Sequence, residues 1–246
     1  MRRHSYLYAV AALLIGASAL VYWFHYLIFH DLHHIFIYLV GDIAFVPLEV
    51  LLVVIVLERL LHSHEKQAVM EKLNMVIGAF FSELGTRLLG DLTVADAARE
   101  ETRRRLAPGA GWGAREFSEA LQFARSFTPT LEPGKLDLVA LRDLLAGKRE
   151  FMLRLLENPN LLEHDRFTDL LWAIFHLGEE LSARESLEGL PESDLAHLAG
   201  DLARVYSQLA TEWVAYAQHL KRDYPFLFSL VLRTHPLQDR PSAVIG

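Results

Sequence analysis

The sequence predicts an all-α protein in which a transmembrane helical hairpin precedes a cytoplasmic helical bundle. Two long apolar runs lie close together near the N-terminus, and each is long enough to cross a hydrocarbon core about 30 Å thick. After them, apolar residues recur at intervals of three and four, which is the spacing of an amphipathic helix. Segments rich in Pro and Gly separate these patterns, as expected of the loops in a bundle.

The same patterns divide the chain into regions. The predicted regions are a two-helix transmembrane hairpin at 1–65, a membrane-proximal connecting helix at 66–92, a cytoplasmic α-helical bundle at 93–237 and a loose tail at 238–246. Within the hairpin, the two spans cover about 6–29 and 35–57.

Composition excludes several classes of protein. The chain of 246 residues contains no cysteine, so it has neither a disulfide framework nor a thiolate metal site. Its net charge is -7, whereas proteins that bind nucleic acid usually present a basic surface. We therefore expect no nucleic acid among the partners.

The first span is a membrane anchor rather than a cleaved signal peptide. Residues 6–29 contain no Asp, Glu, Lys or Arg. Arg2 and Arg3 precede this run, as in a signal peptide, but the run is longer than a signal core and its aromatic end lacks a small-residue cleavage site. An uncleaved anchor is the favoured interpretation.

Basic residues predict the orientation of the hairpin. Arg2 and Arg3 precede the first span, Arg59, Lys66 and Lys72 follow the second, and the turn between the spans has no Lys or Arg. Because basic residues are enriched in cytoplasmic segments, both termini should be cytoplasmic. The predicted location is the inner (cytoplasmic) membrane, crossed twice.

The second span carries a row of polar residues, which we call the polar stripe. It consists of His34, Tyr38, Asp42 and Glu49, whose spacing places them on one helical face. An ionisable group at the centre of a bilayer costs at least about 2.5 kcal/mol, so such groups usually face water, a partner helix or the protein interior. The stripe therefore indicates either a cation or proton path between several copies, or polar contacts that only hold the helices together.

Small residues and one proline mark sites of close packing or bending. Gly16 and Gly41 allow helices to approach each other in the membrane, and Gly78 and Gly85 do so after it. Pro47 lies between the two acids of the stripe and is expected to kink the second span, because proline has no backbone N–H.

A histidine cluster lies at the outer end of the hairpin. It consists of His25, His30, Asp31, His33 and His34. Imidazole and carboxylate groups bind divalent transition metals, so this cluster is the candidate metal site, with interfacial histidines that bind nothing as the alternative. Its spacings resemble those of the histidine boxes of membrane desaturases, but those enzymes have several separated boxes at the cytoplasmic ends of more spans, whereas this chain has one overlapping set on the outer side. The resemblance is therefore poor.

The remaining sequence predicts the helices of the bundle. Thr93 and Asp96 resemble a helix-capping signal. The following helices are predicted at about 115–127, 136–156, 165–183 and 193–222, with a short apolar segment at 227–232.

Catalytic motifs in the bundle are weak. His164 and Asp165 match metal phosphohydrolases of the HD family only as a dipeptide, and Asp194, His197 and Asp201 are expected to be solvated opposite the apolar face of the last long helix. An enzymatic role is therefore the less favoured interpretation.

The stretch from FHYLIFHDLHHIFIYLVGDIAFVPLEVLLV to EKLNMVIGAFFSELG is similar to a family of uncharacterised prokaryotic two-span membrane proteins with a cytoplasmic helical domain. This resemblance implies the same architecture and brings no known activity.

Three functions follow from these patterns. The leading hypothesis is a homo-oligomeric membrane protein that conducts cations or protons under the control of its cytoplasmic domain. The first alternative is a membrane-anchored signalling or scaffold protein whose bundle binds a cytoplasmic protein partner. The second is a metal-dependent membrane enzyme that uses the histidine cluster.

Overall fold

The computed structural model describes the backbone of residues 2–159, 161, 164–238 and 241–244. Side chains are described for the same residues except 2–9 and 59–72, so the basic residues that predict the orientation lie outside the described side chains. The chain divides into two compact units, Met1–Lys66 and Gln67–Gly246.

The first unit is built from two apolar helices joined by a turn of two residues. Helix α1 covers Arg2–Phe29, and helix α2 begins at Leu32 and ends in the second unit at Phe80. His30 adopts the left-handed conformation, with φ of 50°, and its N–H donates to the Tyr26 carbonyl at 2.9 Å, which closes the end of α1. Asp31 then caps α2, because its carboxylate accepts the N–H of His34 at 3.1 Å.

Both helices are long and apolar enough to cross a membrane. The segments Val10–Phe29 and Leu32–Glu58 meet this criterion, and none of the residues in their most apolar windows is buried within the chain. Large side chains such as Leu13 and Ile15 are each 71% exposed. In water, a surface of this kind would be unusual for a soluble monomer.

The second unit contains the remaining elements, which begin directly after α2. They are a π-helical turn at Phe81–Gly85, α3 (Thr86–Ala95), α4 (Arg99–Leu106), α5 (Ala114–Ser126), a 3-10 turn at Pro133–Lys135, α6 (Leu138–Gly147), α7 (Arg149–Leu156), α8 (Asp165–Ala183), α9 (Glu192–Asp223) and α10 (Pro225–Thr234). The residues described contain no β-strand, and only one isolated bridge, between Asp96 and Leu131, occurs among them. The predicted all-α class, with two apolar helices followed by a helical domain, is confirmed.

Helix α9 is the central element of the bundle. It packs against α3, α5, α8 and α10, and its side chains Tyr206 and Trp213 are almost completely buried. The last turns of α2 belong to the same core, because Leu73, Ile77 and Phe80 are buried as well. The long apolar face of α9 explains why this helix extends over 32 residues, since tertiary packing supplies most helix stability.

The π-helical turn permits close packing of aromatic rings at the start of the bundle. A Cβ at Gly85 would lie 2.6 Å from Cε1 of Phe80 and 2.7 Å from Cδ1 of Phe81, so only glycine fits there. The Phe80 ring meets that of Phe167 edge-on at 5.2 Å, and the Phe81 ring stacks on that of Tyr216 at 4.9 Å.

Two local predictions require correction. Thr93 lies inside α3, where its hydroxyl donates to the Leu89 carbonyl. Asp96 lies in the turn before α4, where its carboxylate accepts the N–H of Ala98 at 2.9 Å and the hydroxyl of Thr102 at 2.6 Å, and α4 has no side-chain cap. The helix predicted at 136–156 is two helices, α6 and α7, which are separated at Lys148. Glycine at 147 destabilises a helix interior and favours this break.

Candidate functional site

The polar stripe occupies one side of α2. At 3.6 residues per turn, His34, Tyr38, Asp42 and Glu49 fall within an arc of about 80° and extend over about 22 Å of helix. All four side chains are exposed in the single chain. The stripe is therefore a row of polar residues, interrupted by Phe45, along the apolar segment Leu32–Glu58 of α2.

The two ends of the stripe differ in their contacts. His34 contacts the ring of Tyr38 edge-on at 4.7 Å, and it also stacks on His25 of α1 at 6.4 Å. Among the described side chains, Asp42 and Glu49 have neither a hydrogen bond nor an ion pair. The carboxylates are therefore the groups that still need a partner.

The histidine cluster is held mainly by local contacts. Besides the stacking of His25 on His34, the rings of Tyr26 and His30 lie 6.0 Å apart, and Asp31 is engaged in capping α2. In the part of the hairpin that the structure describes, no three of the predicted metal ligands converge on one point. Metal binding by this cluster stays a prediction.

The predicted packing residues differ in how much space surrounds them. A Cβ at Gly16 or Gly41 would meet nothing within 4 Å, whereas a Cβ at Gly78 would contact the Tyr216 ring at 3.6 Å, an ordinary contact distance. Pro47 lies inside α2. The single chain therefore leaves Gly16 and Gly41 open for another helix.

A second polar group lies between α8 and α9, and we call it the α8–α9 cluster. It consists of His176 and Glu180 on α8 and of His197 and Asp201 on α9. The Oδ2 atom of Asp201 lies 3.5 Å from Nε2 of His176 and 3.4 Å from Nε2 of His197. Nε2 of His197 also lies 3.6 Å from Oε2 of Glu180.

The burial of Asp201 contradicts the sequence prediction. Asp201 is only 3% exposed, whereas it was expected to be solvated opposite the apolar face of α9. At 3.6 residues per turn, Asp201 is only about 60° around the helix from buried Leu198, so it lies at the edge of that face. Helix α8 then covers it.

An arginine joins the ends of α8 and α9 beside this cluster. The Arg184 guanidinium donates to Oε2 of Glu180 at 2.9 Å and to both oxygens of Asp194, at 2.9 and 2.7 Å. These charge-assisted bonds hold the pKa values of both carboxyl groups below their usual range. Glu180 is therefore an ionised and oriented carboxylate.

The HD dipeptide serves a structural role. His164 caps α8, because its Nδ1 accepts the N–H of Phe167 at 3.1 Å, and Asp165 is exposed in the first turn. Nε2 of His164 lies 3.9 Å from the buried carboxylate of Glu212, and the Arg166 guanidinium lies 3.5 Å from it. Burial raises the pKa of Glu212, while the positive charges of Arg166 and Arg125 oppose that shift.

Comparison with known proteins assigns both units to helical families. The model described as "Uncharacterized protein MJ1433, C-terminal helical domain" matches residues 69–233, and the model described as "MJ1433, N-terminal helical domain" matches residues 2–61. Uncharacterized protein MJ1433 of Methanocaldococcus jannaschii is 42% identical over 240 residues, which cover 98% of this chain and 96% of the relative. No solved structure matches.

Proposed function

The chain belongs to the family of the two-domain helical protein MJ1433, and we propose that it is a homo-oligomeric protein of the cytoplasmic membrane in which α2 lines a path for cations or protons. One observation carries this proposal. Asp42 and Glu49 are exposed on the apolar segment of α2, on the same side as His34 and Tyr38, and have no hydrogen-bonding or ionic partner among the described side chains.

The exposure of α1 and α2 supports a location in the membrane. Both helices are long enough to span the hydrocarbon core, and a bilayer would cover apolar side chains that the single chain leaves exposed. The two-residue turn at His30 and Asp31 would face the outside, with both termini in the cytoplasm, because the basic residues flank the hairpin rather than the turn.

The carboxylates support assembly from several copies. A charged side chain near the bilayer centre costs at least about 2.5 kcal/mol unless it meets water or a polar partner. One hairpin has too little surface to enclose water, whereas several copies of α2 can place their stripes around a common axis. Gly16 and Gly41 leave room for such contacts.

Control by the bundle is part of the same proposal. Helix α2 carries the polar stripe in the first unit, and it carries the buried residues Leu73, Ile77 and Phe80 in the second. A rearrangement of the bundle core would therefore act on the helix that lines the path.

Ion flux into liposomes tests this function. The purified chain should carry protons or monovalent cations, and the Asp42→Asn, Glu49→Gln double variant should lose at least about nine tenths of that flux while it keeps its oligomeric size. Glu58→Gln is the matched control, because Glu58 lies at the end of the span and on another side of α2. Absence of flux in the unmodified protein, or an unchanged flux in the double variant, would refute the path.

A second candidate function has its own supporting observation. Trp172 of α8 is 60% exposed and Phe226 of α10 is 72% exposed, and aromatic residues are enriched in protein–protein interfaces. These residues favour a membrane-anchored signalling or scaffold protein whose bundle binds a protein partner. If the double variant loses its assembly and the unmodified protein carries no ions, this candidate becomes the better one.

A further inference from the structure

We propose that the α8–α9 cluster binds one divalent transition-metal ion, with His176, Glu180 and Asp201 as ligands and His197 as a fourth. This site lies in the second unit, apart from the path proposed for α2, and does not depend on that function. Its ligands are nitrogen and oxygen atoms only, since the chain has no cysteine.

A repeated pattern in the sequence places these four residues together. Helix α8 contains His176, Leu177 and, one turn after the histidine, Glu180, while α9 contains His197, Leu198 and, one turn after the histidine, Asp201. In each helix the leucine is buried in the core. The histidine and the acid therefore lie one turn apart on a neighbouring face.

Asp201 is the group that points to a ligand. Its side chain is 4% exposed, and its Oδ2 atom is buried without a hydrogen bond, although Oδ1 contacts the Arg204 guanidinium at 3.1 Å. A buried carboxylate oxygen without a hydrogen bond costs free energy, so a cation at this position would stabilise the protein. The imidazoles of His176 and His197 both face this oxygen, and His197 also faces Oε2 of Glu180.

The distances from Asp201 to the two imidazoles fit a shared metal better than direct hydrogen bonds. The ligand atoms of His176, Glu180 and Asp201 all lie within 4.8 Å of one another. Bonds of about 2.0–2.2 Å to a tetrahedral metal place neighbouring ligand atoms roughly 3.3–3.6 Å apart. The separations from Asp201 Oδ2 to the two imidazoles, 3.5 and 3.4 Å, fall in this range.

The surroundings of the α8–α9 cluster also suit a metal site. Arg184 holds Glu180 in place through its bond to Oε2, and outer contacts of this kind orient metal ligands. His176 and His197 are 46% and 54% exposed, so an ion can enter from solvent. Imidazole with carboxylate favours Zn²⁺, Fe²⁺, Co²⁺ or Ni²⁺ over Mg²⁺ and Ca²⁺, which prefer oxygen ligands alone.

Binding of Zn²⁺ and Co²⁺ to the full-length chain in detergent tests the proposal. Titration calorimetry should show one Zn²⁺ per chain, and Co²⁺ should give the visible absorption of a coordinated ion. Asp201→Asn and His176→Gln should each weaken Zn²⁺ binding at least about tenfold and change the Co²⁺ spectrum. Arg184→Gln should weaken binding about tenfold, without removing a ligand.

Two control variants exclude other sources of metal binding. The pair of His219 and Asp223 has the same spacing on α9, with Nδ1 of His219 2.7 Å from Oδ2 of Asp223, so His219→Gln is the matched control within the bundle. The triple variant His30→Gln, His33→Gln, His34→Gln removes most of the histidine cluster. Neither change should affect Zn²⁺ binding to the α8–α9 cluster.

The contrary results are equally clear. If His176 and His197 are only protonated partners of the two acids, Zn²⁺ will not bind stoichiometrically to the unmodified chain, and the proposal is wrong. If the triple variant loses Zn²⁺ binding while the Asp201 and His176 variants keep it, the metal belongs to the histidine cluster instead. Thermal unfolding of each variant without metal identifies a variant that has failed to fold, and stabilisation of the unmodified chain by Zn²⁺ gives a measurement independent of any substitution.

Discussion

The polar stripe of α2 and the α8–α9 cluster both place carboxylates beside apolar surface, but they differ in where the partners come from. Asp201 and Glu180 face imidazole and guanidinium groups of the same chain. The described side chains supply no such partner for Asp42 and Glu49. The bundle therefore provides its own polar contacts, whereas the hairpin requires contacts from outside the single chain.

The glycines of the two units differ in how closely other atoms of the chain surround them. Gly85 is enclosed by the rings of Phe80 and Phe81, whereas Gly16 and Gly41 have open space around them. Substitutions in the two units should consequently affect different properties: stability of the fold in the bundle, and assembly or flux in the hairpin.

Among single substitutions at one pH, the largest effect on stability is expected for Gly85→Val. The added methyl groups would collide with two ring atoms that are less than 3 Å from the new Cβ, in a core that is already filled. Overpacking of this kind should lower the free energy of unfolding by about 3 kcal/mol. Chemical denaturation measures the change, with Gly78→Ala as the control because its Cβ would meet Tyr216 at an ordinary distance. A Gly85→Val protein as stable as the unmodified chain would mean that the π-helical turn is not tightly packed.

The next prediction is a pH dependence of stability caused by His235, which is buried beside Arg103 and the ring of Trp213. Burial, and secondly the positive charge of Arg103, lower the pKa of His235 from 6.5 to about 4. The unfolded chain therefore binds the proton at a higher pH than the folded chain does. Stability should fall by about 1.4 kcal/mol for each pH unit as the pH drops from 6.5 towards 4, and this contribution is fully present above pH 6.5.

A His235→Leu variant isolates that contribution. The difference in unfolding free energy between the unmodified chain and the variant should change with pH only between about 6.5 and 4. A difference that is constant from pH 7 to pH 4 would show that His235 has the same pKa in the folded chain as in the unfolded chain.

The helices of the bundle could be predicted because each carries its own signals. The predictions at 115–127, 165–183 and 193–222 agree with α5, α8 and α9 to within one residue at each end, since apolar spacing and terminal residues are local properties. The membership in an uncharacterised family is likewise confirmed, while the two-span membrane character stays a prediction.

The sites were harder to predict, for two physical reasons. The spacing of α9 places Asp201 only at the edge of the apolar face, and its burial depends on α8 lying across α9, a contact that the sequence of α9 does not reveal. The role of the polar stripe depends on surfaces that a single chain does not contain. Sequence identifies the candidate groups in both cases, but tertiary or quaternary packing decides which of them share a site.

A smaller effect is expected for Glu212→Gln. The Oε1 atom of Glu212 is buried without a hydrogen bond, and burial raises the pKa of this carboxyl above its usual value of 4.5. The folded chain therefore holds this proton more tightly than the unfolded chain does, so stability is lost as the pH rises above 4.5. The uncharged amide should remove that loss and make the variant more stable by about 1 kcal/mol at pH 7.5. Thermal unfolding at pH 4.5 and 7.5 measures the difference in stability between the variant and the unmodified chain. A variant that is less stable at both pH values would show that the ion pair with Arg166 outweighs the desolvation of Glu212.

The smallest effect on the bundle, and the sharpest test of the comparison, is expected for Gly41→Ala. A methyl group at this position meets no atom of the chain within 4 Å, so the unfolding free energy of the bundle should change by less than about 0.5 kcal/mol. If α2 packs against another copy near Gly41, the same methyl group should shift the oligomer towards smaller species in detergent, because the helices could no longer approach as closely. Light scattering over a range of protein concentrations measures this shift, with Ala44→Gly as the reciprocal change nearby. An oligomer unaffected by both substitutions would place the contact between copies on another face of the hairpin.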